Sequence, residues 1–218
     1  MNQNLTIGRP LVILTGGIAT GKSSVAQRLR QHGIEVVDTD AIAHALTAPN
    51  GLALPELRKA FGDVIFAPDG TLDRAALRDI VFNDPSQKNR LEQILHPMIR
   101  RQAIEALATA TSAYVVADVP LFAETGFLRE QADRVLVVDC PPDIQRQRLL
   151  ARGNIPEELA DLILQAQAPR ETRLSLATEA LDNSGTPEQR DERLDQLHQT
   201  YLDLATGSEN NDKNPIRV

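Results

Sequence analysis

The sequence predicts an α/β protein of three layers, with a five-stranded, parallel, doubly wound sheet between helices. Three observations carry that prediction. Apolar runs of strand length recur as LVILT (11–15), IEVVD (34–38), YVVAD (114–118), RVLVVD (134–139) and, more weakly, EALDN (179–183). Most of them are continuous rather than alternating, as strands buried on both faces are. Helical patterns lie between them, and a strand, a crossover helix and a second strand form the unit that builds parallel sheets. A chain of 218 residues, 42% of them hydrophobic, can bury one substantial core and still carry a small additional unit.

Taken in order, LVILT runs into a glycine turn, after which Val25, Ala26 and Leu29 share one helix face. IEVVD closes on Asp38. Residues 39–113 then carry no strong strand signal, although a simple crossover needs only about a dozen residues or more. A helical insert is expected there: Leu54 to Phe61, Leu72 to Phe82 opening on Asp73, and a long stretch in which Leu91, Ile94, Leu95 and Met98 recur at three and four. His96-Pro97 interrupts that stretch, and a kink or restart is expected because proline lacks a donor and clashes with the preceding turn. Pro120 stops the YVVAD strand. After RVLVVD, Pro142 opens a helix marked by Ile144, Leu149 and Leu150. The tail from Thr206, TGSENNDKNPIRV, has little to bury and is expected to be disordered.

Composition narrows the function. A formal charge of −7, 3% aromatic residues and no Trp argue against a protein that coats nucleic acid. No apolar run approaches the roughly 20 residues of a membrane span. The single cysteine, Cys140, permits no internal disulfide and reads as a small buried side chain. The N-terminal MNQNLTIGRP is not a targeting segment, so a cytoplasmic location is expected. His44 and His198 have no partners at ligand spacing, and no zinc site is expected.

Gly16-x-x-x-x-Gly21-Lys22-Ser23 carries the chemistry. It follows a strand and precedes a helix, the context in which a Walker A loop cradles phosphates. Backbone N–H groups of Gly16, Gly17, Ala19, Thr20, Gly21, Lys22, Ser23 and Ser24 are the candidates for the nucleotide, ATP. Lys22 supplies a point charge and Ser23 a hydroxyl for Mg²⁺. None of the four lysines (TGKSS, LRKAF, SQKNR, NDKNP) sits in a guanine-reading Asn/Thr-Lys-x-Asp segment, which weighs against a GTPase. The short chain weighs against a motor or helicase. A helical insert after the second strand suits an acceptor-holding domain, since ligands in open α/β sheets sit beyond the carboxyl ends of strands.

Three clusters complete a kinase reading, each with a plainer alternative. In DTDAIAH, Asp40 follows the second strand, next door to the phosphate loop in such a sheet, where it can take or orient the proton of an attacking hydroxyl; equally, Asp38 or Asp40 can cap the helix that begins near Ala41. Arg148 and Arg152 lie at i and i+4, either as lid charges for the transferring phosphoryl group or as a solvated arginine face. Asp118, ending YVVAD, suits a water-mediated Mg²⁺ ligand or a turn cap.

The phrases LTGGIATGKSS, VVDTDAIAH, FGDVIFAPDGTLDRAALRDIVF, LHPMIR, DVPLFAETG, VLVVDCPP, QRQRLLAR and ALDNSG occur in the order seen in dephospho-coenzyme A kinases, and the chain resembles that family from about residue 10 to about 205. The resemblance implies a fold like that of P-loop nucleoside triphosphate hydrolases, and transfer of the ATP γ-phosphoryl group to the ribose 3′-hydroxyl of dephospho-coenzyme A. It implies that Asp40 is the base, that Arg148 acts with support from Arg152, and that Asn183 lies beside the adenine. The insert becomes the acceptor domain, with Phe61, Arg74, His96 and Pro97 as candidate acceptor-side residues. The implied organisation is a P-loop core of residues 1–40, 111–147 and 176–205, an insert of 41–110, a lid of 148–175 and a tail of 206–218, acting as a monomer or weak homo-oligomer. The chain departs from the family's usual GGIGSGKS at Ala19 and Thr20, from DVPLLFE in DVPLFAE, and from Ala-Asp at Ala177-Thr178. The competing readings are another small-metabolite kinase of the nucleoside-monophosphate type and a non-catalytic ATP switch.

Overall fold

The structure, a computed structural model, describes residues 6–153 and 155–207. The chain forms two compact units, one made of the chain up to Val37 and from Leu107 onward, the other of Asp38–Ala106. The insert thus begins three residues earlier than its sequence boundary, because Asp38 belongs to the helix it caps.

The first unit is built on strands β1 (Leu11–Gly16), β2 (Glu35–Asp38), β3 (Val115–Asp118), β4 (Arg134–Asp139) and β5 (Glu179–Asp182), in the order β2-β3-β1-β4-β5. The described pairs are parallel, with Leu14 opposite Asp118 and Leu136, and Val138 opposite Leu181. This order corrects one expectation: β3, not β2, stands beside β1. Asp118 therefore ends the strand adjoining the phosphate loop, and Asp38 ends the strand beyond it.

Both sheet faces are buried, which explains the unbroken apolar runs. Val12, Leu14, Val116, Leu136 and Val138 pack with Val25, Ala26 and Leu29 of α1 (Lys22–Gln31) and with Leu194, Leu197 and Tyr201 of α10 (Pro187–Thr206). The alternate residues Leu11, Ile13, Val115, Ala117, Val135 and Val137 are buried as well. At the edge, Thr178, which stands where the family usually has Asp, accepts a 2.7 Å hydrogen bond from the Val135 amide, so the substitution keeps an oxygen acceptor there. Helix α10 is closed by a capping box between Thr186 and Gln189 and ends at Thr206 with Gly207 as its left-handed cap. The chain is therefore ordered two residues into the expected tail, and the rest of that tail, 208–218, lies outside the described residues. No helix among the described residues is long and apolar enough to cross a membrane.

A polar cluster joins the C-terminal end of α1 to the middle of α10. Arg28 and His32 both bond Asp195, His32 stacks on His198 at 4.5 Å, and His198 Nδ1 lies 2.8 Å from the Tyr114 hydroxyl. Burial, reinforced by His32, holds the His198 pKa below its usual value. The neutral ring is thus the form the fold favours. Stability from this site is complete above about pH 6.5, the unfolded value, and is lost as pH falls toward the lower folded value. Melting curves at pH 7.5 and 5.5 should show a smaller Tm drop for His198→Gln, which keeps an acceptor for Tyr114, than for the wild type. An equal drop in both proteins would remove His198 from the account.

The second unit is helical: α2 (Thr39–Leu46), α3 (Leu54–Phe61), α4 (Arg74–Asn83) and most of α5 (Pro85–Thr109). Aspartates at two of its helix starts follow the capping rule. Asp38 accepts from the amides of Asp40 and Ala41, and Asp73 from those of Ala75 and Ala76, all at 2.9–3.0 Å. Leu46, Ala53, Leu57, Ile65 and Leu77 form the buried core, with Ile94, Leu95, Met98 and Ile99 packed against it. The expected restart at Pro97 does not occur, and α5 runs through it. His96, Pro97 and Gln93, whose carbonyl Pro97 cannot bond, are all exposed, so water can satisfy that carbonyl while the neighbouring apolar side chains hold the helix in place.

Candidate active site

The phosphate loop closes on itself and on its surroundings. Thr20 turns back to the Gly17 carbonyl through its hydroxyl at 2.8 Å, and Gly21 caps α1 at φ 93°, where a Cβ would collide with the Asn183 amide. Asn183, 5% exposed, donates a 2.6 Å hydrogen bond to the Thr20 carbonyl. It is a strut beneath the loop as well as a wall of the pocket beside it. The backbone N–H groups of Ala19, Gly21, Lys22 and Ser23 have no protein acceptor among the described residues, which leaves the head of α1 with four donors for an anion.

Ala19 sits at φ 60°, the left-handed region, so the family's more usual glycine is replaced at a position that favours glycine. The strain, about 1 kcal/mol, is offset by packing. Its methyl is 5% exposed and lies in an apolar cluster with Leu149 and Ala160. Ala19→Gly should be nearly neutral, since relief of that strain is matched by about 0.8 kcal/mol of lost burial and by the greater freedom of glycine in the unfolded chain. Ala19→Val puts a branched side chain in the same conformation and overfills the cluster, for about 2 kcal/mol or more. Thermal melts check this: a Tm drop of roughly 4–8 °C is expected for valine, and a valine variant as stable as the wild type contradicts the assignment.

At the loop's rear, Lys22 is ion-paired with Asp118, which is buried at the end of β3. Ser23, the next residue, is exposed at the first turn of α1. The one-turn helix α6 (Phe122–Thr125) lies between β3 and β4, and the region expected as a lid follows β4 as α7 (Pro142–Ala151), α8 (Glu157–Gln165) and α9 (Arg170–Ser175). Arg146 ties α7 to α8 through Glu157 and Asp161 at 2.9 and 2.7 Å, and Arg170 grips Asp139 at 2.6 Å. Arg148 donates to the Asn183 carbonyl at 2.8 Å, with its other nitrogen 3.9 Å from Cys140 Sγ. Arg148, Arg152 and Arg190 line a pocket of about 280 Å³ with Ser24 and Asn183. Cys140 is fully buried and its thiol pKa is pushed up by that burial, as suits a packing role.

The insert holds a second pocket, about 450 Å³, walled by Leu72, Leu77, Val81, Leu91 and Leu95 and rimmed by Asp40, His44, Arg74 and Arg78. Capping of α2 falls to Asp38, and Asp40 lines this pocket. Arg74 donates to the Thr47 hydroxyl at 2.9 Å, whereas Arg78 has no protein partner among the described residues. Of the four acceptor-side candidates, only Arg74 lines this pocket. Phe61 packs in the insert core with the Arg90 guanidinium 5.8 Å from its ring, and His96 and Pro97 lie on the exposed side of α5.

A family model described as dephospho-CoA kinase matches residues 10–189. The chain belongs to the dephospho-CoA kinase family. A dephospho-CoA kinase of Aromatoleum aromaticum is 45% identical over 89% of this chain and 95% of its own length, and one of Thiobacillus denitrificans is 44% identical over 88% and 95%. Among solved structures, a Thermus thermophilus protein superposes with a TM-score of 0.76 at 32% identity, over 88% of this chain and 97% of that one. Dephospho-CoA kinase from Campylobacter jejuni gives 0.69 at 25%, over 91% and 98%. A shikimate kinase of Bacteroides thetaiotaomicron, 15% identical at a TM-score of 0.51, shares the fold alone. The fold is that of the P-loop kinases.

For this dephospho-CoA kinase family member, sequence reasoning missed Arg78 and His44 on the insert pocket, Arg190 beside the nucleotide loop, and two glutamines, Gln145 and Gln167, that bond Ile18. Arg78 was legible as the partner of Arg74 at i+4 on one helix face. A buried glutamine on a mid-helix position leaves no such mark.

Proposed function

We propose that the protein phosphorylates the ribose 3′-hydroxyl of dephospho-CoA with ATP, giving CoA and ADP. The 3′-oxygen attacks the γ-phosphorus, the bond from that phosphorus to the bridging β,γ-oxygen breaks, and Asp40 takes the hydroxyl proton. Asp40 carries this reading: Asp38 caps α2, and Asp40 lines a pocket whose leucine wall suits an uncharged arm and whose two arginines suit a diphosphate. Lys22 and the loop amides hold the β- and γ-phosphates, and Arg148, with Arg152, stabilises the charge that develops on the transferring group. The arginine-lined pocket beside Asn183 receives the nucleoside of ATP.

Ser23 and Asp118 offer one hydroxyl and one carboxylate, and no group of three His, Cys, Asp or Glu capable of holding a metal exists among the described residues. That donor set fits Mg²⁺ carried by nucleotide phosphates rather than caged by protein. Ser23 and Asp118 are the residues that would hold the ion, which would supply positive charge to neutralise the phosphates. A monomer or weak homo-oligomer is the proposed working unit, and a single buried cysteine accords with a cytoplasmic setting.

The deciding assay incubates the protein and ATP with dephospho-CoA, AMP or CMP in parallel. CoA and ADP should form in equal amounts with dephospho-CoA only. Turnover of the monophosphates alone would move the chain to the nucleotide kinases, and turnover of none would leave a binding switch.

A further inference from the structure

Ile18, at the apex of the phosphate loop, is held through both of its backbone polar groups by side chains from elsewhere in the same unit. Its N–H donates to Gln167 Oε1 at 2.8 Å, and its carbonyl accepts from Gln145 Nε2 at 2.7 Å. Gln145 is 3% exposed on α7. Gln167 lies between α8 and α9, one residue from the Ala168 carbonyl that buried Arg173 holds at 2.5 Å. The fit is close on both sides of the apex. A Cβ on Gly17 would come within 2.6 Å of Gln145 Nε2 and 2.8 Å of an Arg173 nitrogen, and the next residue, Ala19, keeps its left-handed backbone with its methyl seated on Leu149 and Ala160. Three consecutive loop residues are therefore shaped by α7, α8 and the segment that leads into α9.

We infer that Gln145 and Gln167 are positioning residues for phosphoryl transfer: they lock the Ile18-Ala19 turn of the phosphate loop to the lid helices, so that loop and lid keep one geometry. Neither glutamine needs to touch the nucleotide. Ile18 is not among the free donors at the head of α1, because its N–H is already spent on Gln167. The neighbouring N–H groups of Ala19 and Gly21 are the ones left to face an anion, and their direction follows from how the Ile18 peptide groups are pinned. Phosphoryl transfer depends on such placement more than on covalent chemistry, and a misplacement of about 1 Å is enough to cost on the order of a hundredfold in rate. The inference rests on the kinase reading above.

The donor and acceptor roles are fixed by Ile18 itself: its N–H can only donate and its carbonyl can only accept. That polarity gives a test no general loss of packing can imitate. Gln145→Met and Gln167→Met keep length and remove the polar contact, and each should lower kcat by roughly tenfold or more with the KM for ATP changed less than about threefold. Gln167→Glu retains an oxygen acceptor and should keep more kcat than Gln167→Met. Gln145→Glu sets a carboxylate against the Ile18 carbonyl and should fall below Gln145→Met. Steady-state kinetics with ATP and dephospho-CoA, beside thermal melts of each variant, read both quantities. Wild-type kcat in the methionine variants, the same glutamate-to-methionine ranking at both positions, or kcat losses that merely follow the folded fraction would each overturn the inference. A wild-type protein that does not phosphorylate dephospho-CoA would instead bring down the kinase reading, and this inference with it.

Discussion

Asp40→Asn should lower kcat by on the order of a hundredfold while leaving the affinity for ATP unchanged. Asparagine keeps the size and one acceptor oxygen but cannot take a proton. General bases contribute roughly 10²–10⁴ in rate, and the loose transition state of phosphoryl transfer places this case at the lower end, because the attacking oxygen carries little positive charge when the old bond breaks. The structure supplies the control. Asp38 is the residue whose carboxylate caps α2, accepting from the amides of Asp40 and Ala41. Asp38→Ala should cost about 1 kcal/mol of stability and lower Tm by roughly 2–4 °C. Asp40→Asn should leave Tm nearly unchanged. Were the two phenotypes exchanged, with Asp40 governing stability and Asp38 governing turnover, the base assignment would fall with them.

What the sequence disclosed and what it withheld divide along physical lines. The strands were legible because burial on both faces leaves unbroken apolar runs, and the loop because glycines, lysine and serine must stand at fixed intervals to serve a phosphate. The insert was legible as a gap too long for a crossover. Strand order was not, since nothing in YVVAD marks it as β1's neighbour, and so β2 was set beside the strand that leads into the loop. The assignment of capping to Asp38 rather than Asp40 was equally hidden, because DTDAIAH permits either and only the backbone angles of Asp38 decide it. Of the two outcomes expected at Pro97, a kink or a restart, the restart is absent: α5 continues through it, and the exposed side of the helix lets water reach the carbonyl that proline cannot bond. Ala19 was legible as a departure from the family's usual glycine, but its φ and the packing with Leu149 and Ala160 that offsets its strain required the fold.

Arg148→Ala should depress kcat by a hundredfold or more, in line with what arginines contribute to phosphoryl transfer. Two roles compete for this side chain, and both lie on the same contacts. Arg148 donates to the carbonyl of Asn183, whose own side chain holds the Thr20 carbonyl of the phosphate loop. Truncation therefore leaves the Asn183 carbonyl without its charged donor, for about 1–3 kcal/mol, and slackens the strut beneath the loop. A purely structural arginine would act by this route alone. Arg148→Lys separates the two. Lysine keeps a positive charge and a donor long enough to reach for the carbonyl, so the strut and Tm should be largely restored, but it lacks the planar fork that spans two phosphoryl oxygens. If Arg148 stabilises the transferring group, kcat in Arg148→Lys stays at least about tenfold below the wild type despite the recovered Tm, with the KM for ATP moved far less than kcat. Full recovery of kcat alongside Tm would assign Arg148 to the strut, and the charge on the transferring group would then have to come from Arg152, Arg190 or Lys22, the other cations placed around the same loop and pocket.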